Sequence, residues 1–304
     1  MLRPDGWAGD LFLSGRARDL VTTEEGAHVT ATARVDARAD ATRALRELRT
    51  DPAIDVIDAL LGAPVASGFR ARIEAVAPDH RDACTPLYLL LDDLPVASLI
   101  SGYAMQRAGE IGRMPAAAYS YNVDQCSGWR AGGTLMVVLS EKGAVPMTIG
   151  PTAPDLQPDD DDLAWHQHDK LPAGGMRRRR RLDVLADDVL RIDAMFRDSY
   201  MGLDGVESIV HEYSITGSVD PETLRVLDAD ARPRVLPYVE CPDAAASAGL
   251  LAGMSAPELR RRVRQELTGI STCTHLNDLL RSLTDVGALA STLGAGGWGT
   301  HSHG

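Results

Sequence analysis

Cys273-Thr274-His275 puts a thiol and an imidazole two residues apart, just ahead of a leucine-rich run ending at Leu283. Thr274 in front of that run reads as the N-cap of an amphipathic helix, with His275 in the first turn. A helix N-terminus carries roughly half a positive charge, which stabilises a thiolate and disfavours an imidazolium. A neutral His275 could take up a proton or ligate a metal, and Cys273 would either touch substrate or pack as a small hydrophobe. The carboxylate expected to orient the ring is Asp193 or, on the same helix, Asp278.

A second concentration of chemistry is Tyr119-Ser-Tyr-Asn-Val-Asp-Gln-Cys-Ser-Gly-Trp129, in a chain with only 5% aromatic residues. Read as a strand, it places Tyr119 and Tyr121 on one face and Asp124 and Cys126 on the other. Aromatic walls with a few polar groups suit a small-molecule pocket, so Tyr121 and Asp124 are candidate catalytic groups and Tyr119 and Trp129 candidate substrate contacts. The plainer alternative is core aromatics beside a glycine turn.

His166-Gln-His168 would share one strand face and, with Asp169, supply part of a metal site, although no Cys-x-x-Cys pair accompanies them. The run Arg177 to Arg181 puts Arg177, Arg179 and Arg181 on one side of a strand, where Arg179 could grip a carboxylate or phosphate. The same arginines could instead neutralise Asp159 to Asp162. Asp193 and His211 fall on neighbouring expected strands and could pair.

The elements that must position these groups recur. Cys84-Thr-Pro-Leu and Cys273-Thr-His-Leu each open a leucine-rich helix, and Pro86 occupies the position of His275. Upstream lie Phe69-Arg-Ala-Arg-Ile73 and Leu259-Arg-Arg-Arg-Val263, then Leu60-Leu-Gly62 and Leu250-Leu-Ala-Gly253. Further upstream, alternating segments from His28 to Asp36 and from His211 to Asp220 both end in Val-Asp. This ordered series predicts a tandem duplication of an α+β unit, with antiparallel sheets and helices packed on one face.

Alternation predicts strands at Val29 to Val35, Leu190 to Arg197 and Tyr213 to Val219. Further strands are expected at Tyr119 to Cys126, Thr134 to Ser140 and Val145 to Ile149, with Glu141-Lys-Gly143 as a hairpin turn. Helices are expected at 39–49, 53–61, 244–253 and 258–267. The resulting domain plan is a first unit at 1–150, an acidic Pro-rich linker at 151–175, a second unit at 176–293 and a flexible tail at 294–304.

The second half resembles a bacterial family catalogued as domain of unknown function 2889. Arg177 to Arg181, Arg191-Ile-Asp-Ala-Met-Phe196, Tyr238-Val-Glu-Cys-Pro242 and above all Cys273-Thr-His-Leu276 carry the resemblance, over roughly residues 176 to 285. Family members carry an acidic pair and then Phe-His on the first of these strands, where this chain has Asp193 and then Phe196-Arg197. The resemblance implies a bacterial setting of small-molecule metabolism and no particular reaction.

Composition sets the outer limits. Of 304 residues, 44% are apolar and 24% charged, enough for packed domains, and the net charge of -12 argues against nucleic-acid binding. No run of 18 apolar residues predicts a membrane span, the N-terminus lacks a signal-peptide core, and four cysteines do not make a disulfide scaffold. A cytoplasmic location is therefore expected. Gly-x-Gly-x-x-Gly, a phosphate loop and Gly-x-Ser-x-Gly are absent from the sequence. The reading that follows is a non-redox lyase, isomerase or hydrolase acting on a hydrophobic or aromatic small molecule, in bacterial catabolism or secondary metabolism. It expects no cofactor beyond a divalent metal that the histidines would allow, and it is compatible with a homodimer. The alternatives are a metal- or sulfur-handling accessory protein and a non-catalytic binding or assembly protein.

Overall fold

The computed structural model describes residues 1–110 and 116–294. Two antiparallel sheets and seven helices make an α+β fold. The chain divides into two compact units, Met1–Met114 with Met147–Arg179 and Arg197–Val210, and Pro115–Pro146 with Arg180–Phe196 and His211–Gly304.

The first sheet has the order β1 (Leu11–Thr23), β2 (Gly26–Ala39), β3 (Leu45–Asp51). Its inward face is the small and branched side of the alternation: Leu11 and Leu13, Ala33 to Ala39 at every second residue, then Leu45 and Leu48. Three helices follow, α1 (Phe69–Val76), α2 (Pro78–Asp82) and α3 (Pro86–Arg107). Thr85 caps α3 by accepting from the Tyr88 N–H, and Pro86 sits at the first position, where no N–H is needed. Leu87, Tyr88, Leu91 and Leu94 of α3 join the strand residues in one core cluster. Helix α3 is long and apolar enough to cross a membrane by length and composition, yet more than half of its apolar stretch is buried within the protein.

After α4 (Thr134–Lys142), the second sheet has the order β4 (Met176–Ala186), β5 (Leu190–Met201), β6 (Glu207–Val219), β7 (Val226–Val235). Strands β5 and β6 each contribute residues to both compact units. Leu190, Ile192, Ala194 and Phe196 of β5 and Tyr213 and Ile215 of β6 pack with Leu259 and Val263 of α5 (Leu259–Glu266). Leu276, Leu279 and Leu280 of α6 (Thr274–Ser282) complete this core, and α7 (Val286–Gly294) ends the described chain.

Both sheets end in the same device. Asp40 accepts from the Thr42 N–H (2.8 Å) and hydroxyl (2.6 Å), and Arg43 turns through a φ of 66°. Asp220 accepts from the Thr223 N–H and hydroxyl, both at 2.7 Å, and Leu224 turns through a φ of 53°. The first residue of the next strand is then strapped by a later loop. Leu45 bonds to Ala63 and Gly62, and Val226 bonds to Met254 and Gly253. Asp36, matched with Asp220 from sequence, lies inside β2 and pairs with Arg34 at 2.7 Å; the turn carboxylate is Asp40.

Several expected elements are replaced. Residues 39–49 form the end of β2, a turn and β3 rather than a helix, because pairing with β2 overrides a spacing that fits either period. Ile57–Leu60 and Cys241–Leu251 are helical, as expected, but as 3-10 helices rather than α-helices. Segment 119–126 is no strand: it belongs to 3-10 turns and a loop in which Asp124 takes a φ of 60°. The apolar run at 134–140 is helix α4, and Gly143, at φ 64°, terminates it, so 141–143 is a helix end and not a hairpin. Residues 145–149 take no regular structure. The cap of α6 is Cys273, not Thr274. Of the expected tail, residues 295–304 lie outside the described residues.

Candidate functional site

Strand β5 alternates inward and outward as far as Ala194, then every residue from Phe196 to Met201 is buried. Asp198 is in that stretch, and its carboxylate has no solvent exposure. Arg178 of β4 grips both of its oxygens, Nε at 2.7 Å and Nη2 at 2.9 Å. The two-pronged fork fixes the plane of the Asp198 carboxylate.

His211 of β6 and His275 of α6 stack with ring centroids 3.9 Å apart and planes 21° from parallel. Two stacked imidazoles can take up a proton and pass it on.

Three buried thiols lie at the base of α6. The backbone N–H groups of Leu276 and His275 point at the Cys273 sulfur, as a helix terminus requires. Burial nevertheless dominates and pushes the Cys273 thiol up to about 11, so the activated thiolate expected from the helix terminus is overruled by desolvation. Cys241 is pushed up to about 12 by burial first and by Cys273 second. Burial also drives the Tyr213 phenol well above its ordinary range, and its hydroxyl donates to the Cys241 carbonyl at 3.3 Å.

The aromatic segment is tied to the same helix start. Ser127 N–H donates to the Thr272 carbonyl at 2.9 Å, and the Thr274 N–H points at the Cys126 sulfur. Tyr119 stacks on Trp129 with centroids 5.9 Å apart. Asp124 spends one oxygen on the Ala131 N–H at 2.8 Å, and Tyr121 is 72% exposed. A shallow depression nearby is lined by Val123, Ala131, Gly132, Met136, Val137, Ser140 and Glu141.

Asp193, the carboxylate expected beside His275, is exposed on β5. Asp278 is half-buried one turn along α6, where its carbonyl accepts from Arg180 at 3.4 Å. His166 and His168 lie 5.9 Å from each other, among the arginines 16, 18, 177 and 179. That positive setting opposes a cation. Arg179 lies 3.7 Å from Glu207 and 3.9 Å from Asp155, and Arg181 pairs with Asp183 at 2.8 Å.

No curated protein and no solved structure matches the chain. Residues 176–288, which carry Asp198, His211 and His275, match the family described as Protein of unknown function (DUF2889).

Proposed function

We propose that the protein is a non-redox enzyme of lyase, isomerase or hydrolase type that moves a proton on a small molecule. The observation that carries this reading is the stack of His275 on His211. One imidazole of the pair exchanges a proton with substrate. The stacked Tyr119 and Trp129, strapped next to the start of α6, support a hydrophobic or aromatic substrate. Location in the cytoplasm and a role in small-molecule metabolism belong to the same proposal. The test is a panel of ester, lactone, hydroxy-acid and keto-enol substrates, offered to the wild type, His275→Gln and His211→Gln. Turnover lost in both variants supports the reading; turnover that survives in either one removes that histidine from it, and a panel without turnover counts against catalysis.

A further inference from the structure

We propose that Arg16, Arg18, Arg177 and Arg179, together with His166 and His168, form a binding site for a phosphate-type dianion. Strands β1 and β4 supply the arginines and loop 163–169 the histidines, all within the first compact unit. Arg18 donates to the carbonyls of Leu163 and, at 3.1 Å, Trp165; Arg177 donates to the Asp169 carbonyl at 3.2 Å. Carbonyls hold these guanidinium groups in place without cancelling their charge. Among the described residues no carboxylate forms an ion pair with Arg18 or Arg177. The Arg179 Nε is buried without a hydrogen-bond partner among the described residues, and its two acids stand off at 3.7 and 3.9 Å. Of the neighbouring acids, Asp36 pairs with Arg34, Glu207 shares its carboxylate between the Ser199 hydroxyl at 2.5 Å and Arg179, and Asp155 is 79% exposed.

Such a concentration of arginine is informative in a chain where 43 acids outnumber 31 bases. Left alone, the guanidinium groups repel one another and suppress protonation of both rings. His166 is brought down to about 4 by burial first and then by Arg18, His168 and Arg16. His168 is lowered by burial and by Arg177, Arg179 and Arg16, against the opposing pull of Asp169. Neutral imidazoles retain an N–H to donate, and planar forks match tetrahedral oxyanions, so a dianion satisfies donors and charge together. The inference does not rest on the histidine pair at His275, and it can fail or hold independently of that reading.

Calorimetric titration of the full chain with inorganic phosphate near pH 7 tests it, with acetate and chloride as comparison ligands. The expected result is a phosphate Kd on the order of 1 mM or tighter, at least about tenfold weaker for acetate. Arg177→Ala/Arg179→Ala should weaken phosphate at least about tenfold, and His166 and His168 ring signals should move with phosphate in the wild type. Should the double variant melt early, Arg18→Ala replaces it. No heat and no ring shift at about 20 mM phosphate would overturn the site, as would equal affinity for acetate or unchanged affinity in a folded variant.

Discussion

His275 lies face to face with His211, their ring centroids 3.9 Å apart, although 64 residues separate them in the chain. The strand carries one ring and the first turn of α6 carries the other. His275→Gln should lower kcat/KM on any substrate the wild type turns over by about 100- to 10,000-fold. The melting temperature should change by no more than about 3 °C, because His275 is only half-buried and Cys273, not His275, begins the helix. A variant that loses fold and turnover together would make the histidine structural.

Arg178 and Asp198 form a deeply buried ion pair, with side-chain exposures of 6% and 0%. Removing either partner strands a charge in the interior. Arg178→Met and Asp198→Asn should each cost roughly 3–5 kcal/mol in denaturant unfolding. The double variant should cost less than the sum, because it leaves no buried charge behind. Additive losses would show that the two side chains do not act as a pair.

Acid should weaken the protein through His166. Its folded value is depressed to about 4 against about 6.5 for the unfolded chain, so between these values the unfolded state binds more protons. Stability from this ring is complete above about pH 6.5 and is lost as pH falls towards 4. The ring is only half-buried, so solvent screening keeps the effect small. Unfolding midpoints measured from pH 7 to 4 should fall less steeply in His166→Gln than in the wild type. Equal slopes would mean that His166 titrates alike in both states.

Local signals decided what could be read from sequence. Alternation at Leu190 to Phe196 and Tyr213 to Val219 located two strands because a strand with one buried face writes its period directly. Thr85-Pro86 located the start of α3 because capping chemistry is local. The segment around Tyr121 misled because its shape depends on Asp124 at positive φ and on the bond from Ser127 to Thr272, neither of which leaves a periodic trace. The position of His275 at a helix start was legible, whereas the burial of Asp198 was not. Asp198 follows Arg197 on a stretch buried on both faces, where the period that made Asp193 visible has already ended.

Cys273 decides whether thiol chemistry belongs at the start of α6. Two helix N–H groups favour its thiolate and burial opposes it, and burial prevails, placing the folded value near 11. At pH 8 the thiolate fraction is then about one in a thousand, too small for rapid attack. Cys126 and Cys241 are also buried and raised by desolvation, whereas Cys84 is partly exposed. Ellman's reagent at pH 8 should therefore find one fast thiol in the native protein and four after unfolding, with Cys84→Ala removing the fast phase. For the thiols the sign with pH runs opposite to that of His166. Between about pH 9 and 11 the unfolded chain has already lost protons that folded Cys273 still holds, so stability falls as pH rises through that window. Fast labelling of Cys273 in the folded wild type would restore the thiolate expected from the helix terminus and place sulfur beside His275 in the chemistry.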